Sequence, residues 1–192
     1  MTKPLLLILL AGAFMAFTGG NAEAANPKVL LKTSRGDITI ELFPDKAPVT
    51  VKNFLSYVDA KFYDGLIFHR VIKGFMIQGG GLTADLATRP AQPPIKNEAG
   101  NGLKNTRGTI AMARSGEINS ATCQFFINHV DSDFLDHRDE TAQGFGYCVF
   151  GQVVSGLDIV DAIATTPTMT VHGMKDVPRE TVTIISIRRL EN

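Results

Sequence analysis

The sequence predicts a mainly β domain, an antiparallel barrel or sandwich capped by helices. Short runs rich in Val, Ile, Phe and Thr recur along the chain, turn residues separate them, and two segments have the apolar spacing of helices. Strands and helices do not alternate regularly, which argues against a parallel sheet. The 192 residues are enough for one core and few for two, so we expect one domain.

The first elements predicted are a hairpin and a helix. Residues 28–43 contain two runs rich in β-branched residues, joined by turn residues at 34–37. A helix is predicted over 48–59, because Pro48 suits a first helical turn. Apolar residues also recur there at helical spacing: Val51, Phe54, Leu55 and Val58.

The rest of the chain predicts more strands and one more helix. Glycines and prolines interrupt residues 79–109, which are expected to form a loop. After this loop, three strands are predicted at 108–113, 124–130 and 146–154. A helix at 156–166 and a closing strand at 181–190 follow.

One predicted hairpin, FHRVIKGFMIQGG (68–80), contains an arginine within an apolar run. Counting by twos from the turn at Lys73 predicts that Phe68 and Arg70 share one face, as do Met76 and Gln78. Two interpretations remain open. Arg70 lies on a solvated edge strand with its stem over Phe68, or its guanidinium is aimed into a shallow apolar pocket.

The first 24 residues have the pattern of a secretory signal peptide. Lys3 precedes the apolar run LLLILLAGAFMAF, and Ala22 and Ala24 supply the small residues of a cleavage site. The run is too short to span a bilayer, so stable membrane association is not expected. The mature protein is therefore predicted to start at Ala25.

Charge is balanced along the chain, with 19 basic and 19 acidic residues and no long block of one sign. Nucleic acid and anionic lipid are therefore not expected partners. No phosphate-binding loop or Gly-x-Ser-x-Gly elbow is found. The acidic run 131–140 lacks the glycine of a calcium loop, and the four histidines lack ligand spacing, so neither a metal nor a cofactor is expected.

Cys123 and Cys148 are the two cysteines of the chain. Both fall on or beside predicted strands, and an oxidising compartment permits a disulfide between them. A pair of buried thiols is about equally compatible with the sequence, because bridge geometry is strict.

Four stretches together resemble the cyclophilin family of peptidyl-prolyl cis-trans isomerases: FYDGLIFHRVIKGFMIQGG (62–80), GTIAMARS (108–115), SATCQFFIN (120–128) and FLDHRDETAQGFGYCVFGQVVSGLDIV (134–160). The resemblance implies a closed eight-stranded antiparallel barrel with a helix at each end, formed by residues 25–192. With the signal peptide, it is greatest to the periplasmic cyclophilins of Gram-negative bacteria. Periplasmic localisation is therefore expected.

The resemblance also implies roles for individual residues. Arg70 matches the catalytic arginine, and Gln78 would orient it or hold the substrate backbone. By the same resemblance, the wall of the proline pocket is formed by Phe75, Met76, Phe126 and Leu135. Gln124 would contact the substrate, and the backbone of Ala113, Arg114 and Ser115 would line the groove. Two substrate-binding positions depart from the commoner residues of the family: Phe134 replaces tryptophan and Tyr147 replaces histidine.

An arginine suits this chemistry because the X-Pro nitrogen lone pair localises only when the amide is twisted. A guanidinium donor would therefore bind the transition state more strongly than the planar ground state. The expected function is an isomerase that assists the folding of exported proteins, acting as a monomer on proline-containing polypeptides. The alternative is a proline-segment-binding chaperone module with little turnover.

Overall fold

A computed structural model describes residues 25–191 of the chain. The predicted signal peptide lies outside these residues. The described chain contains two α-helices, α1 (Pro48–Asp59) and α2 (Leu157–Ala164). It also contains ten strands: β1 (Lys28–Thr33), β2 (Gly36–Leu42), β3 (Phe68–Ile72), β4 (Met76–Gly79), β5 (Thr109–Met112), β6 (Phe125–Asn128), β7 (Val149–Ser155), β8 (Thr168–Val171), β9 (Met174–Pro178) and β10 (Ile184–Leu190).

Eight of these strands form one curled antiparallel sheet in the order β10-β1-β2-β7-β5-β6-β4-β3. This confirms the predicted mainly β fold with eight strands and two helices. The word "closed" was too strong, because the edge strands β3 and β10 do not pair along their lengths. The segments preceding them are joined by one bridge, Ile67 to Thr183, and by backbone hydrogen bonds such as Ile184 N to Leu66 O at 2.7 Å.

Helix α1 covers one side of the core as its apolar spacing predicts. Val51, Phe54 and Val58 are each at most 2% exposed, and burying each side chain contributes about 1.5–3 kcal/mol. The residue before the helix is Ala47, which has no side chain to cap it. Instead, the carboxylate of Glu98 accepts hydrogen bonds from the backbone N–H of Val49 (3.1 Å) and of Thr50 (2.8 Å). Glu98 thus satisfies free amides at the helix N-terminus from a distant loop.

The hairpin of β8 and β9 was not predicted. His172 and Gly173 connect the two strands, and both have positive φ, 49° and 84°, as a two-residue turn of the type favoured in hairpins requires. Histidine is less usual than asparagine in such a turn, which is why the sequence signal is weak. The hairpin packs through β9 against β3, the edge strand that contains Arg70.

A β-bulge in β3 overturns one prediction about Arg70. Phe68 pairs with Gly79 and Arg70 pairs with Gln78, so two steps along β3 match one step along β4 and His69 has no partner. The extra residue shifts the side-chain alternation by one. Phe68 therefore points into the main core, fully buried, whereas the Arg70 side chain is 45% exposed, and the two residues lie on opposite faces of the sheet.

No described helix combines the length and the apolar character that crossing a membrane would need.

Candidate functional site

The candidate site lies on the outer face of the curled sheet, away from the main core. Strand register places Arg70 opposite Gln78, Gln78 opposite Phe126, and Phe126 opposite Ala111. Residues directly opposite each other in a sheet point to the same side. The bulge at His69 is what brings Arg70 onto this face.

This face bears a second, smaller apolar cluster, separate from the main core. Its buried members come from four strands and from the segment after β6: Met76, Ala111, Phe126, Val149 and Leu135. The ring of Tyr147 meets that of Phe126 edge to face, with centroids 5.7 Å apart. The cluster provides an apolar floor beside a charged guanidinium.

A cavity of about 180 Å³ opens over this floor. Nine of the twelve residues predicted for the site line it: Arg70, Phe75, Met76, Gln78, Ala113, Arg114, Phe126, Leu135 and Tyr147. Of the two interpretations of the hairpin 68–80, the geometry fits the apolar pocket with a guanidinium at its wall. Arg70 does lie on an edge strand and is 45% exposed, but its stem does not cover Phe68, because the two residues face opposite ways.

The other three predicted residues lie beside this cavity. Ser115 and Gln124 line an adjoining cavity of about 310 Å³, which shares Gln78, Ala113 and Arg114 with the first. Phe134 is 59% exposed, and its ring stacks on Phe75 with centroids 5.4 Å apart. Phe134 therefore forms an exposed aromatic rim of the site.

The two glutamines of the site are bonded to each other. Gln78 Nε2 donates to Gln124 Oε1 at 3.0 Å. The bond leaves Gln78 Oε1 free, but Arg70 and Gln78 form no hydrogen bond with each other among the described residues. Within residues 25–191, the charged neighbour of Arg70 is Asp176 of β9, whose Oδ2 lies 4.0 Å from Arg70 Nε.

The second arginine, Arg114, is engaged with the loop that ends at Tyr147. Its Nε donates to the Gly146 carbonyl and its Nη2 to the Ala142 carbonyl, both at 2.9 Å. Its guanidinium carbon lies 4.8 Å from the centroid of the Tyr147 ring, within cation–π range. Arg114 thus fixes the Tyr147 side of the cavity.

A buried asparagine that the sequence analysis missed supports the part of the cavity wall formed by Leu135 and Tyr147. Asn105 is 1% exposed. Its Nδ2 donates to the Leu135 carbonyl (3.2 Å) and to Asp136 Oδ1 (3.2 Å), with a longer contact to the Tyr147 carbonyl (3.4 Å). Its Oδ1 accepts from Asn128 Nδ2 at 3.2 Å. Asn105 lies in a predicted loop, where sequence gives no sign that a polar residue is buried.

His69, Cys123 and Cys148 are uncharged at neutral pH. Burial and the adjacent Arg70 lower the pKa of His69 to about 4, so its imidazole is uncharged at neutral pH. Cys123 and Cys148 are both free and buried, in agreement with the thiol alternative. Burial raises the pKa of Cys148 to about 11, which makes it a poor nucleophile.

A curled eight-stranded sheet with an apolar outer cavity and an arginine at its wall defines a class of protein, the cyclophilins. The family model for cyclophilin type peptidyl-prolyl cis-trans isomerases matches residues 28–189. The chain belongs to this family.

Curated relatives agree with this assignment. The chain is 56% identical over 159 residues to peptidyl-prolyl cis-trans isomerase B of Escherichia coli, covering 83% of this chain and 97% of the relative. It is 50% identical over 173 residues to peptidyl-prolyl cis-trans isomerase A of Dickeya dadantii, covering 90% of each. Of the two alternatives drawn from the sequence, these findings support the enzyme.

Solved structures share the fold. A crystal structure of a cyclophilin type isomerase from Cryptosporidium parvum superposes with a TM-score of 0.72 at 28% identity, covering 87% of this chain and 99% of that one. The same protein in the presence of the dipeptide ala-pro gives a TM-score of 0.71 at 27% identity, covering 86% and 99%. The protein is thus a peptidyl-prolyl cis-trans isomerase that acts on proline-containing polypeptides.

Proposed function

We propose that the 180 Å³ cavity is the catalytic site and that Arg70 is its catalytic residue. The observation that supports this most directly is the pairing of an apolar floor with the guanidinium of Arg70, which, unlike that of Arg114, donates no hydrogen bond to the described residues. A proline ring would lie on Met76 and Phe126, and the guanidinium would donate to the prolyl nitrogen as the amide twists. No covalent step or proton transfer is needed, because rotation about the C–N bond is the whole reaction.

The substrate backbone would be held by the groups around the cavity mouth. Gln78 donates its amide to Gln124, and its remaining acceptor capacity would serve the peptide chain. The segment of Ala113 to Ser115 lies at the boundary between the two cavities. A relative solved in the presence of ala-pro agrees with an X-Pro ligand for such a site.

The test of the site is an NMR titration with a short peptide containing Ala-Pro, next to a matched peptide with alanine in place of proline. The proline peptide is expected to shift the amide resonances of Ala113, Phe126 and Tyr147 and to show cis–trans exchange peaks with the protein. The alanine peptide lacks the ring that fills the apolar floor, so it should shift them much less. Equal shifts with both peptides, or shifts confined to another surface, would contradict the assignment.

We also propose that the protein is exported and works as a monomer on unfolded exported proteins in the periplasm. The apolar run and the small residues Ala22 and Ala24 support export. The balanced charge supports neither a nucleic-acid partner nor stable membrane association. Mass spectrometry of the protein from a periplasmic extract is expected to give an N-terminus at Ala25. Recovery of the uncleaved chain from the membrane fraction would show that residues 1–24 are retained.

The exposed rim residue Phe134 leads to a prediction about inhibition. The resemblance implies that cyclosporin binding in this family is helped by an indole N–H at this position, a donor that phenylalanine lacks. We expect weak inhibition of the natural protein and tighter inhibition of Phe134→Trp, with about a tenfold change for one added hydrogen bond. Inhibition constants for the two proteins check this. Tight inhibition of the natural protein would show that the other contacts suffice.

A further inference from the structure

A carboxylate on the unpredicted hairpin lies against the guanidinium of the site. Asp176 Oδ2 is 4.0 Å from Arg70 Nε, and the two side chains are 39% and 45% exposed. Strand β9, which contains Asp176, packs against β3, which contains Arg70. The ion pair therefore joins the hairpin to the strand that presents the catalytic arginine.

The backbone at Asp176 is unusual for an aspartate within a strand. Its φ is 62°, in the left-handed region. Met169 pairs with Val177 and Val171 with Met174, so three steps along β9 match two along β8. The extra residue makes a bulge, a device that turns a side chain in a new direction. Glycine is the residue best suited to a left-handed bulge position, and aspartate is one of the few others that adopt it readily, so Asp176 combines the bulge with a carboxylate.

The position of the carboxylate leaves the two terminal amino groups of the Arg70 guanidinium free. Asp176 approaches Nε, on the stem side of the guanidinium, so neither terminal amino group is occupied by it. The other candidate orienting group, Gln78, is bonded to Gln124 and forms no hydrogen bond with Arg70 among the described residues. A charge at 4.0 Å is too far for a strong hydrogen bond but biases how the planar guanidinium is turned.

We propose that Asp176 is a positioning residue that turns the guanidinium of Arg70 toward the prolyl nitrogen. The proposal rests on the catalytic role of Arg70 proposed above. Asp176 acts through Arg70 and does not touch the substrate. The bulge at Asp176 serves to aim its carboxylate at the edge strand.

Two substitutions distinguish the effect of the Asp176 carboxylate from the effect of the backbone conformation at this position. Asp176→Asn keeps the size and removes the charge, whereas Asp176→Gly removes the side chain and suits a φ of 62°. We expect both to lower kcat by about 3- to 10-fold with little change in KM, because only the transition-state contact is weakened. The melting temperature should be unchanged for asparagine and equal or higher for glycine. Asp45→Asn, in the exposed turn between β2 and α1, is the control for loss of one negative charge.

A double-mutant cycle with Arg70→Ala completes the test. Asp176→Asn should cost nothing further once Arg70 is absent, and Asp176→Glu should restore part of kcat. Natural kcat in both Asp176 variants, or an equal loss with and without Arg70, would overturn the positioning role while leaving the role of Arg70 intact. If Arg70→Ala itself retained full turnover, the proposed catalytic role would fail first, and the positioning role with it.

Discussion

Replacing Arg70 with alanine is expected to reduce turnover by about 10- to 1000-fold, or about 1.4–4 kcal/mol of transition-state stabilisation. Peptide affinity should fall much less, because the apolar floor that would bind proline is untouched. The domain should remain folded, since the Arg70 side chain is 45% exposed and pairs only loosely with Asp176 at 4.0 Å. Exchange NMR at saturating peptide measures the turnover, and a circular dichroism melt checks the fold.

Arg70→Lys distinguishes positive charge from guanidinium geometry. Lysine retains the charge but has a single flexible ammonium in place of a planar fork. It is expected to recover only part of the activity lost in the alanine variant. Full activity in Arg70→Ala would show that the arginine is not the catalytic group, and full activity in Arg70→Lys would show that charge alone is enough.

Much of the fold was predictable because the periodicity of apolar residues and the positions of turn residues are local signals. The apolar spacing of α1 and the hairpin of β3 and β4 were assigned from residues close together in sequence, and both occur with nearly the same bounds. The pairing of edge strands depends on contacts between residues far apart in sequence. The curl of the sheet and the incomplete pairing of β3 with β10 could therefore not be obtained from periodicity.

The bulge at His69 shows how one local irregularity changes a prediction about the site. Strict alternation placed Phe68 and Arg70 on one face, but the unpaired His69 separates them. Nothing in the run FHRVI marks a bulge, since His69 fits a strand as well as its neighbours do. The residues of the site were predicted from motifs, whereas the reason that Arg70 reaches the cavity became visible only in the strand register.

The supporting residues of the site were missed for a different reason. Asp176 and Asn105 act through contacts with segments more than 25 residues away in sequence, Asp176 on β3 and Asn105 on the loop after β6. Neither lies in a stretch with a catalytic motif. Polar residues in loops are usually solvated, so the sequence favours an exposed surface position for both.

Asn105→Ala is expected to destabilise the protein by about 2–4 kcal/mol and to weaken substrate binding as well. Alanine would remove one hydrogen bond each from the carbonyl of Leu135, the carboxylate of Asp136 and the amide of Asn128, although each of these groups keeps one other partner. These groups are buried, with Asp136 8% and Asn128 0% exposed, and each hydrogen bond lost there costs about 0.5–1.5 kcal/mol. Urea unfolding monitored by circular dichroism measures the loss.

The consequence for activity follows from what Asn105 holds in place. Its amide reaches the carbonyls of Leu135 and Tyr147, and the side chains of both residues line the cavity. Losing these bonds should loosen that wall, so KM is expected to rise more than kcat falls. Asn101→Ala is the matched control, since its amide also donates to a backbone carbonyl, that of Val149, at 2.9 Å. Because Asn101 is only partly buried, its loss should cost about 1 kcal/mol and leave KM unchanged. Equal effects of the two substitutions would show that Asn105 is an ordinary structural asparagine with no particular link to the cavity.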